Sequence, residues 1–271
     1  MKKAFKLLLL MILAGASKLW NFLFPRSQVV VLMYHSVGDS GWEFSITPEK
    51  LEKQISYLHK RGYKFLTAEE FQEIISGQTD TVQKGVLLTF DDGYQDTLTR
   101  AVPILKKYNL PALIFMHSNR SADRLRNDLP LLSWAEIRQL ASDYNIGSHS
   151  HSHPDLKSLS EEELTNELST AETVFMREIG HKPVWFSYPG GRLNEKVMLA
   201  LKKRGYQLAF TINPGLVVVG SNPLAVPRFG VSVNTTMVEF RARVTGTSDW
   251  YEKLANLFRQ KKKIYNYENY Q

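Results

Sequence analysis

Two aspartates and three histidines carry the chemical interest of this chain. Asp91 and Asp92 close a short apolar run, Val86-Leu87-Leu88-Thr89-Phe90, and Gly93 follows them. Adjacent carboxylates repel, and their pKa values separate unless a positive charge lies between them. A metal ion supplies such a charge: one aspartate can bind it while the other stays free to move a proton. Three of the seven histidines then cluster within Gly147 to Leu156, GSHSHSHPDL, at His149, His151 and His153. His149 and His153 are four apart and share a face if the segment is a helical turn. An extended segment would instead pair His149 with His151, or His151 with His153. Two neutral imidazoles and one carboxylate make a three-ligand site with open positions for water, as in hydrolytic metal centres. Taken alone, Asp-Asp-Gly reads as a polar turn and the histidines as a solvated loop. The two motifs together point to one site.

These residues need elements to position them. A short apolar run bounded by turn residues fits a central parallel strand, and ligands collect at the carboxyl ends of such strands. Gln28 to Tyr34, QVVVLMY, is a second such strand and ends at His35. Ala112 to Met116 is a third, followed by His117, which either reaches the site rim or is structural, the second being the plainer reading. Ile146 to Ser148 delivers the clustered histidines, and Leu208 to Thr211 forms a further strand. Helices start at Thr47-Pro48, with proline at the first position, and at the capping boxes Thr67–Glu70, Ser133–Glu136 and Ser160–Glu163. Asp96 to Tyr108 reads as a helix kinked by Pro103. Asn194 to Arg204 and a segment from Thr236 complete the set, and Trp250 to Phe258 reads as a last outer helix. Repeated strand–helix alternation predicts an α/β fold with a parallel sheet.

With 271 residues, 43% of them hydrophobic, the chain can bury one sizeable core. It has no cysteine, which excludes disulfides, thiolate metal sites and a cysteine nucleophile. No G-x-S-x-G motif signals a serine hydrolase. The net charge of +7 becomes mild once the lysines at the start are set aside, and the one dense basic run is Arg259 with Lys261 to Lys263. That predicts no nucleic-acid partner. Residues 1–24 read as a targeting segment: Lys2, Lys3 and Lys6 precede an apolar stretch, and Ala14-Gly15-Ala16 suits a signal peptidase. Leu19 to Phe24 extend the apolar character, so the segment serves equally as a retained membrane anchor. Either reading places the remainder outside the cytoplasm, secreted or membrane-anchored. The expected division is 1–24 for targeting, 25–245 for the catalytic domain and 246–271 for a C-terminal helix and basic tail.

The sequence TFDDG followed by HSHSHPDL resembles the polysaccharide deacetylases, the NodB-like carbohydrate esterases, over about Val29 to Val233. The resemblance implies an irregular (β/α) barrel of about seven parallel strands. It implies a divalent metal, with Zn2+ the expected ion, held by Asp92, His149 and His153, with Asp91 as catalytic base and His151 at a variable position. The substrate implied is an N-acetylated glycan. Val184 to Gly191, VWFSYPGG, is similar to the family's third motif but departs from it twice. Ser187 replaces the arginine that orients the base, and Gly190 replaces an aromatic residue. Gly190 keeps the N–H expected at the oxyanion, Tyr188 either lines the sugar pocket or is core, and Arg228 is a candidate substitute for the arginine. The general acid is usually a histidine near the C-terminus. Here L-M-Y-H at the N-terminus is similar to the circularly permuted branch, which includes deacetylases of exported poly-N-acetylglucosamine, and makes His35 the candidate. A rival reading, favoured by the missing arginine and aromatic residue, is a catalytically impaired carbohydrate-binding module.

Overall fold

Apolar runs become strands and capped amphipathic segments become the helices between them. The computed structural model describes residues 28–79, 82–120, 124–125 and 128–246. In chain order the strands of the main sheet and the α-helices are β1 (Val29–Tyr34), α1 (Pro48–Lys60), β2 (Lys64–Phe65), α2 (Ala68–Ser76), β3 (Gly85–Phe90), α3 (Val102–Lys107), β4 (Leu113–Met116), α4 (Trp134–Ala141), β5 (Asn145–Ser148), α5 (Glu161–Ile179), β6 (Trp185–Ser187), α6 (Glu195–Lys203), β7 (Leu208–Phe210), β8 (Phe229–Gly230) and α7 (Met237–Val244). The capping boxes at Thr67, Ser133 and Ser160 form reciprocally, and Thr47 caps α1. The helix expected over Asp96 to Tyr108 forms, with residues 95–107 helical throughout. Thr97–Ala101 is a π-turn within it, with Val102 N–H bonded to Thr97 O, and α3 continues directly from that turn. The wide turn comes just before Pro103, which has no N–H to donate, so it accommodates the proline inside the helical run.

The main sheet runs β7-β6-β5-β4-β3-β1-β8, every pairing parallel, with β2 flanking the start of β3. The segment leading into β8 touches both edges. Val226 exchanges backbone bonds with Ala209 and Thr211 beside β7, and Phe229 lies in register with Leu32 of β1. This is the irregular barrel of about seven parallel strands expected from the sequence.

Alternation along the strands sends buried side chains to opposite faces of the sheet, and two core clusters among the described residues reflect it. One holds Val29, Val31, Leu87, Leu113, Phe115, Leu208 and Phe210, with Phe71 and Ile74 of α2. The Arg228 guanidinium stands 5.7 Å from the Phe115 ring centre and 5.9 Å from that of Phe210. The other cluster packs Phe186, Tyr188 and Ala209 against Leu164 and Leu168 of α5 and Val197 and Leu201 of α6.

The chain divides into two compact units, Ser27–Asn234 and Met1–Arg26 with Thr235–Gln271. The first contains the barrel. Of the second, the described part is α7, whose Thr236–Glu239 capping box is formed. The expected targeting segment 1–24, the helix at Trp250 to Phe258 and the basic tail lie outside the described residues. Among the described residues, no helix is long and apolar enough to cross a membrane.

Candidate active site at the strand ends

Asp91 follows β3 directly, and its N–H donates to Tyr34 O at the end of β1, 2.9 Å away. Only 2% of the residue is exposed. Arg228, itself fully buried, grips the carboxylate with two bonds: Nη1 donates to Oδ1 and Nη2 to Oδ2, each at 2.7 Å. Ser187 Oγ donates to Oδ2 at 3.1 Å and accepts from Arg228 Nη2 at 2.9 Å. Arg228 is in turn aimed by Thr211 O, which accepts from Nε at 2.9 Å, and by Thr89 Oγ1 at 3.1 Å. Burial alone would raise the Asp91 pKa, but the charge and hydrogen bonds of Arg228 outweigh it and hold the carboxyl below its ordinary value. A carboxylate has about four acceptor positions. Oδ1, with one bond from the protein, keeps room for another donor. The guanidinium thus reaches Asp91 from the segment before β8, while the third-motif position beside it holds a small serine.

Asp92 turns the other way. Its φ is 73°, in the left-handed region, so its side chain leaves the alternation of β3 and meets the loop after β5. Its Oδ1 lies 3.4 Å from His149 Nε2 and 3.6 Å from His153 Nε2. Both separations exceed the usual ~2.7–3.2 Å of an N–H···O bond. Yet one ligand atom from each residue falls within 4.8 Å of the others. His149 Nδ1 is 2.7 Å from Ser187 O, which leaves Nε2 pointing at Asp92. A carbonyl on the far nitrogen is the usual outer partner of a metal-bound imidazole. This donor set fits a divalent cation with positions left open. Burial would raise the Asp92 pKa, but the neighbouring histidines His149, His35 and His153 hold it well below the ordinary carboxylate range. For His149, burial disfavours the charged ring, and Asp92 and Asp91 overcome this to raise its pKa above 6.5.

The helical-turn spacing considered for His149 and His153 does not describe the loop. Residues 149–153 form no helix, and Ser150 (φ 66°) and His153 (φ 60°) are left-handed. Their rings still meet, with centroids 4.7 Å apart. His151 Nδ1 instead pairs with Ser118 Oγ at 2.8 Å.

His35 follows β1, partly exposed, with its ring centre 5.8 Å from that of Trp42 and 5.2 Å from that of Phe44. Burial lowers its pKa below 6.5. The aromatic wall around it was not singled out from sequence, although Trp42 and Phe44 follow closely on the strand end. Gly190 is exposed with φ 61°, and its N–H makes no hydrogen bond among the described residues. Tyr188 corrects the sugar-pocket reading. It is fully buried in the cluster with α5 and α6, and its hydroxyl donates to Leu224 O at 2.8 Å. Alternation explains this: Ser187 faces Asp91, so Phe186 and Tyr188 face away. His117, only 4% exposed, has neither ring nitrogen hydrogen-bonded, and burial lowers its pKa to about 3.

The family model for polysaccharide deacetylase matches residues 78–209. YxkH of Bacillus subtilis (strain 168), a protein named for polysaccharide deacetylase, is 30% identical over 219 residues, which cover 80% of this chain and 76% of YxkH. The chain belongs to the polysaccharide deacetylase family. A poly-beta-1,6-N-acetyl-D-glucosamine N-deacetylase of Staphylococcus epidermidis is 28% identical over 200 residues, 70% of this chain and 68% of that deacetylase. The structure of IcaB from Ammonifex degensii superposes with a TM-score of 0.72 at 25% identity, covering 82% of this chain and 97% of IcaB. Asp91, Asp92, His149, His153, Ser187 and Gly190 all fall within the matched deacetylase segment. His35 and Arg228 fall outside it, one on each side.

Proposed function

We propose that this protein is a metal-dependent N-deacetylase acting on N-acetylglucosamine units of a polysaccharide outside the cytoplasm, releasing acetate. The observation that carries the reading is the pairing of Asp92, His149 and His153 within 4.8 Å with an adjacent carboxylate, Asp91, held separately by Arg228. Asp92, His149 and His153 would hold a divalent ion, with Zn2+ as the expected one. Such an ion supplies Lewis acidity, which acidifies water and polarises a carbonyl.

The chain's own groups divide the remaining work. Asp91 takes a proton from the water that attacks the acetamide carbon, using the open position on Oδ1. Arg228 keeps that carboxylate ionised and fixes its plane. Gly190 N–H is the candidate donor to the oxygen that gains charge as the C–O bond forms. When the C–N bond breaks, His35 is the candidate donor of a proton to the sugar amine. Because burial favours its neutral form, His35 takes a proton from solvent before giving it to the amine, and Asp91 returns to solvent the proton it took from water; the charges of Asp92 and Asp91 assist the uptake by His35.

Poly-N-acetylglucosamine is the favoured substrate, supported by the likeness to the staphylococcal enzyme. An extracytoplasmic location follows from reading residues 1–24 as signal or anchor, with 25–245 as the catalytic domain and 246–271 as a tail. The binding-module alternative rests on the missing arginine and the missing aromatic residue of the third motif. Arg228 stands on Asp91 and answers the first, while Gly190 leaves the second in place. Asp91, Asp92, His149 and His153, all retained, favour the enzyme. The test is acetate release from acetylated glucosamine oligomers, before and after chelation and with Zn2+ restored. Loss on chelation with recovery on Zn2+ supports the reading. No release from any acetylated glucosamine oligomer counts against it.

A further inference from the structure

His149 and His153 reach the centre by different means. His149 continues β5, with its N–H bonded to Met116 O of β4 at 2.9 Å, so the sheet itself places it. His153 lies four residues out on a loop whose Ser150 and His153 are left-handed. Such conformations are unfavourable for residues with a side chain and persist only where the surroundings enforce them. From the β4 side, Ser118 N–H donates to Ser150 O at 3.0 Å and Asn119 N–H to His151 O at 2.9 Å. From the other side comes a half-buried carboxylate in the middle of α5. Glu167 Oε1 accepts from His151 N at 2.9 Å and from Ser152 N at 2.6 Å, and Oε2 accepts from Ser152 Oγ at 3.0 Å. Within the loop, His153 N–H donates to Ser150 Oγ at 3.2 Å.

Bonds from N–H or O–H groups to a charged acceptor are roughly twice as strong as neutral ones. Three of them converge on one side chain, on the two residues just before His153. The helix that carries Glu167 is anchored by Leu164 and Leu168, both buried. We infer that Glu167 is a positioning residue of the metal centre: by clamping the N–H groups of His151 and Ser152 it holds the left-handed turn that points His153 at Asp92. The inference rests on the metal-centre reading above. It assigns Glu167 no contact with substrate or metal.

The experiment compares wild type, Glu167→Gln and Glu167→Leu. Each is stripped with a chelator and titrated with Zn2+ against a chromophoric competitor, while unfolding of the stripped protein is followed in parallel. Loss of an outer-shell partner typically weakens metal binding by about 10–100-fold. Glu167→Leu, which removes every acceptor, is expected near the upper figure. Glu167→Gln, whose amide oxygen still receives the two N–H groups without the charge, is expected near the lower one and keeps the test valid if the leucine variant does not fold. A merely structural brace would lower the unfolding midpoint of the stripped protein yet leave Zn2+ affinity unchanged in the folded variants. That result overturns the inference. Failure of the wild type to bind Zn2+ overturns the centre itself, and the role of Glu167 with it.

Discussion

The side chain of Asp91 takes two bonds from Arg228 and one from Ser187, whereas that of Asp92, one residue on, faces the Nε2 atoms of His149 and His153 at 3.4 and 3.6 Å. One carboxylate has its cation supplied by the protein. The other has neutral-capable rings spaced around it more widely than hydrogen bonds require. A single change of backbone handedness separates them: Asp91 keeps the inward alternation of β3, and Asp92, at φ 73°, leaves it. The difference shows how two adjacent carboxylates coexist in a buried site, one gripped by a guanidinium and the other ringed by imidazoles, and why they suit different tasks. An immobilised, ionised carboxylate suits proton transfer, while an exposed lone pair among imidazoles suits ligation.

The contrast can be broken from either side. The largest effect is expected on the Asp92 side: His153→Ala should lose both metal and turnover, read by metal analysis and acetate release. His35→Ala should keep its metal and lower kcat by about 10²–10⁴-fold, the usual worth of a general acid. Retained full activity would remove His35 from the mechanism. On the Asp91 side, Arg228→Met leaves a buried carboxylate unpaired. Breaking such a pair costs about 3–5 kcal/mol, so chemical denaturation should show a loss of that size while metal content persists.

Smaller effects sharpen the same contrast through pH. The lowered Asp91 pKa means that its pairing with Arg228 stabilises the fold fully above the ordinary carboxylate value of 3.8. That contribution is lost as pH falls through the depressed value. His149, with its pKa raised above 6.5, must shed a proton to ligate. Metal affinity should therefore climb as pH rises through and beyond 6.5, where Asp91 has long been ionised. Competition titrations at several pH values would show it. The smallest effect is expected on the side of the sheet away from Asp91: Tyr188→Phe removes one part-buried bond to Leu224 O, worth about 1 kcal/mol, and should leave KM for the oligomers unchanged.

Much of this was legible in the chain, because strand ends and capping residues announce themselves locally. The apolar run before Asp91 and the cluster from His149 to His153 each mark a strand terminus, and in a parallel barrel such termini share one end. The capping boxes at Thr67, Ser133 and Ser160 fixed helix starts in the same local way. What local pattern could not supply depended on distant contacts. The sequence offers Arg228 as a candidate for the missing arginine, but its grip on Asp91 needs the segment before β8 to lie beside both β7 and β1, a register no local pattern encodes. Glu167 looks like any acid in a helix until the loop folds over it. The helical reading of His149 and His153 failed because spacing alone cannot distinguish a helix from a turn with two left-handed residues. Tyr188 was decidable in principle: once Ser187 faces Asp91, strand alternation turns its neighbours outward.

The most direct test compares Asp91→Asn with Asp92→Asn in one preparation, measuring bound Zn2+ per chain and acetate release together. The division of labour predicts that Asp91→Asn binds one Zn2+ and releases no acetate, whereas Asp92→Asn binds none. Normal turnover by Asp91→Asn, or full Zn2+ occupancy in Asp92→Asn, would contradict it.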